Sequence, residues 1–238
     1  MKNKHGTIPI ILGLLLMAAA LFLALYNLHE DNRAEESARD TVEQLAVFLP
    51  TEASEEPEEV TMPVEPVEEE IPDYILDPNR EMPVQNIYGY DYIGMLEIPS
   101  LDLLLPVMAQ WDYTRLQIAP CRYSGSPYLG NFVIAAHNYP SHFGNLYTLS
   151  EGDEVTFTDM DRNVFTYEVV AVESLPPTAV EDMTSGDYDL SLFTCTVGGN
   201  SRVTVRCDIS EEKINPGRFV PAGIRYSQGS MGVNLGPW

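Results

Sequence analysis

The sequence predicts an all-β domain, an antiparallel barrel or sandwich, carried behind one N-terminal membrane-spanning helix. Three observations lead there. From residue 91 to residue 210 short apolar runs alternate with turn residues and no long helical pattern intervenes. Residues 7–28, TIPIILGLLLMAAALFLALYNL, contain no charged side chain and are long enough to cross a bilayer. Between the two, composition shifts abruptly toward Glu and Pro.

The apolar run exceeds the core of a cleavable leader, and LYNLHED offers no small-residue cleavage site. Lys2 and Lys4 precede it, and His29, Glu30 and Asp31 follow, so the positive-inside rule predicts a cytoplasmic N-terminus (1–6) and an exterior domain. Residues 29–90 are expected to form a polar helix and an acidic tether. Ala34, Ala38, Val42, Leu45 and Leu49 stand near helical spacing. Pro50 to Pro72 has no basic residue and the composition of an extended, self-repelling linker. The stretch from 73 to 90 mixes apolar and turn residues and is expected to fold against the domain. Residues 1–90 hold 18 of the 36 acidic side chains but only 5 of the 13 basic ones. Acidity persists in the remainder, and nucleic acid is excluded as a partner because phosphate binding needs a basic face.

Within 91–210 the predicted strands are Ile93–Ile98, Leu103–Met108, Phe132–Ala136, Val155–Thr158, Val164–Val172, Asp189–Cys195 and Arg202–Ile209, with a short helix over Trp111–Ile118. Asp159-x-Asp161-x-Asn163 has the opening of a calcium loop but lacks its glycine and distal glutamate, and is expected to be a solvated hairpin turn. Residues 211–238 are rich in Gly, Pro and polar residues and read as an irregular tail, packed through Trp238.

The chemistry concentrates in LSLFTCTVGGNSRVTVR, residues 190–206. It reads as two strands joined at Gly198-Gly199-Asn200, with Cys195 ending one strand and Arg202 opening the next. Adjacent strands lie about 5 Å apart. A guanidinium there favours a thiolate and can donate to an oxyanion. His137, directly after the apolar run FVIAA, supplies a proton carrier at a strand end. His142 is a rival in a looped segment. Arg206 is a rival to Arg202 because it shares that residue's strand face. Cys121 and Cys207 are expected to be buried thiols; Cys207 shares a face with Val203 and Val205.

A strand ending Ala136-His137-Asn138, a later Leu192-Phe193-Thr194-Cys195, and Arg202 seven positions on resemble the sortase family of cysteine transpeptidases. An apolar residue replaces the first threonine of the family's Thr-x-Thr-Cys type motif. The resemblance runs from about residue 91 to residue 209 and includes IGMLEIPSLDLLLPV. It implies a closed β-barrel of about eight strands and assigns His137, Cys195 and Arg202 as catalytic. It implies no cofactor and no metal. It also implies cleavage of a Leu-Pro-x-Thr-Gly type signal on surface proteins, and transfer to an amine of peptidoglycan precursor or of a pilin subunit. The family's Asp-Pro-aromatic lid signature is not matched, since Asn79 follows Asp77-Pro78. Papain-like enzymes place cysteine before histidine, the reverse of the order here. The competing class is a non-catalytic, membrane-tethered β-barrel that binds or scaffolds surface proteins, which would need none of the three polar residues. For the enzyme, the expected resting pair is thiolate with imidazolium, the histidine pKa raised by the anion beside it.

Overall fold

The computed structural model describes residues 7–49, 72–196 and 198–210. The expected cytoplasmic N-terminus at 1–6, the glutamate-rich linker at 50–71 and the tail with Trp238 lie outside the described residues.

Nine strands form one sheet, and eight of them close into a barrel. The strands are β1 (Gln85–Ile87), β2 (Tyr90–Ile98), β3 (Leu103–Met108), β4 (Cys121–Ser124), β5 (Phe132–Ala135), β6 (Glu154–Asp159), β7 (Val164–Leu175), β8 (Leu190–Cys195) and β9 (Arg202–Ile209). Their order is β1-β2-β3-β4-β5-β8-β9-β7-β6, and a further β2–β6 pairing shuts the ring, leaving β1 as an added edge on β2. β2 serves two neighbours along one edge, β1 through its first residues and β6 through Gly94–Glu97. The handover falls at a bulge between Tyr92 and Gly94. There a Cβ on Gly94 would stand 2.1 Å from the Thr158 carbonyl oxygen, so only glycine lets the strands meet.

The barrel is not wholly antiparallel. β3–β4 and β5–β8 are parallel. The chain leaves β5, builds the β6–β7 hairpin on the far side of β9, and returns to β8 beside β5. A parallel pair requires such a crossover. Alternation sorts each strand into an inner and an outer face. Phe132, Ile134, Leu190, Leu192, Val205 and Cys207 point into the main core with Phe157, Phe165 and Tyr167. Val133, Ala135 and Phe193 point outward and are covered by Met183 of the short helix α4 (Val180–Met183), α2 and α3 being Asp73–Leu76 and Tyr113–Leu116.

The N-terminal helix α1 spans Thr7–Ala46 without a break. At 1.5 Å per residue it is about 60 Å long. Its apolar half is long enough to cross a bilayer, and side chains from Ile10 to Leu28 stand exposed. Its polar half docks on the barrel. Ala34, Ala38, Thr41, Leu45 and Leu49 are buried, which is the face their spacing marks out. Leu45 and Leu49 cover Ile87, Tyr92, Met95, Met108 and Cys121 on the outside of β1–β4. Beyond the linker, Tyr74 of α2 stacks on Tyr128 at 5.0 Å and joins the core with Met82. A boundary drawn at Asp91 therefore cuts α1, Tyr74, Met82 and β1 away from surfaces they cover.

The turn at Asp159–Asn163 is the expected hairpin, exposed at Asp161 and Arg162, but its first carboxylate is not solvated. Asp159 is fully buried and accepts from Tyr128 Oη at 2.6 Å, from the backbone N of Asp161 and Asn163, and from Asn163 Nδ2. These bonds satisfy a carboxylate that burial would otherwise penalise.

Candidate active site

The β8–β9 hairpin aligns Cys195 with Arg202 as paired residues. Its turn is closed by Thr196, which donates from its backbone N to the Ser201 carbonyl and accepts from Gly199 N. Gly198 and Gly199 both take positive φ, 85° and 73°, where a side chain would be strained.

β5 runs parallel to β8 in the register Phe132↔Leu190 through Ala135↔Phe193. The alignment continues past the strand end, because Ala136 N donates to the Phe193 carbonyl and Thr194 Oγ1 donates to the Ala136 carbonyl at 2.9 Å. The same offset carried past the strand end aligns His137 with Cys195. His137, Cys195 and Arg202 thus form a row across three neighbouring strands, at one rim of the barrel and on its outer face, with strand spacing of about 5 Å. All three are half-buried.

Each residue has a distinct setting. The His137 ring lies 4.9 Å from that of Tyr139. Burial pushes its pKa below the ordinary value, opposite to the rise expected from a thiolate neighbour. Charge pattern is visible in a sequence and desolvation is not, and here desolvation favours the neutral imidazole. Arg202 Nη1 donates to the Gly199 and Ser201 carbonyls at 3.2 Å, which holds the guanidinium at the hairpin end beside Cys195. Cys195 is a free thiol, half-buried, while Cys121 and Cys207 are fully buried in separate clusters. Burial raises the thiol pKa of Cys121 to about 12 and pushes that of Cys207 up as well, making both inert as nucleophiles.

The two rivals lie elsewhere. Arg206 pairs with Ser191, four residues down the strand from the Cys195 row. It is 2% exposed. Its guanidinium is committed to Glu173 Oε1 at 2.7 Å, Ser191 Oγ at 2.8 Å and the carbonyls of Asp182 and Met183. Those bonds tie the β7–β8 connection down over the outer face. His142 is fully buried, and burial lowers its pKa to about 4.

Below the row, the outer face is apolar. Phe193 packs edge-on against Tyr123 at 5.1 Å, and Tyr123 stacks on Trp111 at 5.1 Å. A cleft of about 430 Å³ opens there, lined by Trp111, Arg122, Tyr123, Ser124 and Gly125. Sequence reasoning missed this wall because β4, with its sequence CRYS, carries no apolar alternation. The exposed aromatics Trp111 and Tyr113 were the available signal. Among the described residues no group of three or more His, Cys, Asp or Glu side chains is arranged to hold a metal ion.

Comparison with known proteins agrees in kind. The family model described as the sortase domain matches residues 96–210. The chain is similar to sortase A from Corynebacterium diphtheriae at 26% identity and a TM-score of 0.47, covering 61% of this chain and 69% of that one. It is similar to sortase C from Streptococcus pneumoniae at 23% identity and a TM-score of 0.47, covering 52% and 70%. It is similar to a Clostridium perfringens sortase D5 transpeptidase at 22% identity and a TM-score of 0.46, covering 53% and 82%. No curated protein matches the chain.

Proposed function

We propose, on the premise that the chain belongs to the sortase family through its domain at residues 96–210, that it is a membrane-anchored cysteine transpeptidase. It cleaves a Leu-Pro-x-Thr-Gly type signal and joins the surface protein to an amine of the cell wall or of a pilin subunit. The observation that carries this reading is the row of His137, Cys195 and Arg202 at the rim of β5, β8 and β9.

Cys195 Sγ attacks the threonine carbonyl carbon as His137 takes the thiol proton. Burial supports this order, because it keeps the imidazole neutral and able to accept. The carbonyl oxygen gains negative charge, and the Arg202 guanidinium donates to it. The C–N bond to glycine breaks, and His137 returns its proton to the leaving amine. A thioester on Cys195 remains. The incoming amine then attacks that thioester, loses a proton to His137, and forms the new amide. The Cys195–acyl bond breaks and the sulfur recovers its proton. No cofactor enters these steps.

The outer-face cleft walled by Trp111 and Tyr123 supports a peptide approaching alongside the Cys195 row. The apolar half of α1 serves as the anchor, and Lys2 and Lys4 ahead of it favour a cytoplasmic N-terminus with the barrel outside. The test is a panel of pentapeptide-Gly substrates presented to wild type and to Cys195→Ala. Wild type should cleave at least one member and Cys195→Ala none. Cleavage at wild-type rate by Cys195→Ala would rule the reading out.

A further inference from the structure

The anchor helix reaches the active site at a point the chemistry above does not use. α1 runs unbroken through Asp31, so the first polar turn beyond the apolar run is rigidly continuous with it. Ser141, in the loop that follows β5, bonds to that turn across 110 residues of sequence. Its backbone N donates to Asp31 Oδ1 at 3.2 Å, and its Oγ donates to the same oxygen at 2.7 Å and to the Asp31 carbonyl at 3.4 Å.

The loop transmits this attachment to His137. Phe143 N donates to the His137 carbonyl at 3.1 Å, and His142 N and Gly144 N both donate to the Tyr139 carbonyl. A Cβ on Gly144 would stand 2.7 Å from the carbonyl oxygens of Asn138 and Tyr139, so the loop closes this tightly only with glycine. Three rings follow in series, His137 to Tyr139 at 4.9 Å and Tyr139 to His142 at 5.6 Å. Phe143 and His142 are fully buried, yet neither ring nitrogen of His142 has a hydrogen-bond partner. The polar attachment of the loop to α1 is therefore made by Ser141 and not by the histidine behind it.

We propose that Asp31 is a positioning residue. Its carboxylate holds the 137–144 loop through Ser141, and thereby fixes the imidazole of His137 level with Cys195. The membrane-proximal turn of the anchor helix is then part of the active-site frame. This inference rests on the reading of His137 as the proton carrier.

The test uses the full chain in detergent, with Asp31→Ala, Asp31→Asn, Ser141→Ala and His137→Ala beside wild type. Two rates are read: kcat and KM for a sorting peptide, and alkylation of Cys195 by iodoacetamide at pH 7, which needs no peptide and spares the two buried thiols. A displacement of about 1 Å costs up to about 10²-fold in rate. The loop keeps its internal bonds, so Asp31→Ala should lower kcat and the alkylation rate about tenfold with KM within about twofold. Asparagine retains the accepting Oδ1, so Asp31→Asn should stay within about twofold of wild type. Ser141→Ala, which keeps its backbone N–H, should lose about threefold, and it carries the test if Asp31→Ala fails to fold. Wild-type rates in Asp31→Ala or, failing that, in Ser141→Ala, with His137→Ala inactive, would overturn the positioning role and leave the catalytic reading standing. Equal loss in Asp31→Asn and Asp31→Ala would overturn the hydrogen-bond route. Wild-type rates in His137→Ala would remove the catalytic reading itself.

Discussion

Replacing Arg206 by methionine tests the proposal that Arg206 is the structural cation and Arg202 the chemical one. Arg206 is 2% exposed and donates four hydrogen bonds at 2.6–3.2 Å, with the Tyr188 ring 5.1 Å from its guanidinium carbon. Each bond to a charged group contributes about 1.5–3 kcal/mol, but they are not additive. Methionine preserves much of the apolar stem's packing. Glu173 is 40% exposed and regains water when its partner is lost, so its share is discounted. The net loss should be about 3 kcal/mol, at the low end for breaking a buried charged network. For a domain of this size that lowers Tm by about 6–12 °C, at about 2–4 °C per kcal/mol. Arg202→Met removes only bonds to two loop carbonyls. It should leave Tm within about 2 °C and lower kcat/KM by about 10²–10³, as loss of an oxyanion donor does. Circular dichroism melts beside peptide cleavage at 25 °C read both quantities. An Arg206→Met protein with unchanged Tm and no activity, beside an active Arg202→Met, would reverse the assignment.

Three further outcomes follow from the packing. Burial depresses the His142 pKa from 6.5 to about 4, so the folded state holds it neutral; the stability this represents is complete above pH 6.5 and is lost as pH falls toward 4, up to about 3 kcal/mol. Urea unfolding of wild type and His142→Phe at pH 7 and pH 4.5 should show the smaller acid loss in the variant, and equal losses would contradict it. A chain starting at Asp91 loses the cover of Leu45, Leu49, Tyr74 and Met82, each contributing about 1.5–3 kcal/mol, a sum comparable with the whole stability of a domain; it should aggregate on size exclusion where a chain starting at Glu30 stays monodisperse, and a stable Asp91 product would contradict the docking of α1. Cys121→Ala and Cys207→Ala should each cost about 1–2 kcal/mol in denaturant unfolding while retaining peptide cleavage.

Much of the barrel was legible because its strands are apolar runs bounded by turn residues, with clean alternation in β6 and the first half of β7: β2, β3, β5, β6, β7, β8 and β9 each fall within a few residues of the predicted runs. β1 and β4 escaped because QNI and CRYS are short and largely polar, where the equally short β5, FVIA, is an unbroken apolar run, and β4 joins β3 through one paired position, Met108↔Cys121. Helical spacing marked Ala34, Ala38, Leu45 and Leu49 as one face, but periodicity says which face is buried and not what buries it. The Asp159 carboxylate read as solvated with the rest of its turn because its burying partner, Tyr128, lies 31 residues away. Parity put Arg202 and Arg206 on one face and left the choice to resemblance. What distinguishes them is that Arg206 sits beside Glu173, Ser191 and the β7–β8 connection, contacts no spacing rule predicts. The direction of the His137 shift was missed for the same reason, since desolvation is a property of the folded surroundings.

Trapping the acyl intermediate tests the central claim most directly. The full chain should be mixed with a cleaved Leu-Pro-x-Thr-Gly peptide in the absence of an amine acceptor, quenched in acid, and digested for mass spectrometry. The account predicts a thioester between Cys195 and the threonine carboxyl carbon, released by added amine and absent in Cys195→Ala. Peptide cleavage by wild type with the acyl fragment on no residue, or on Cys121 or Cys207, would contradict it.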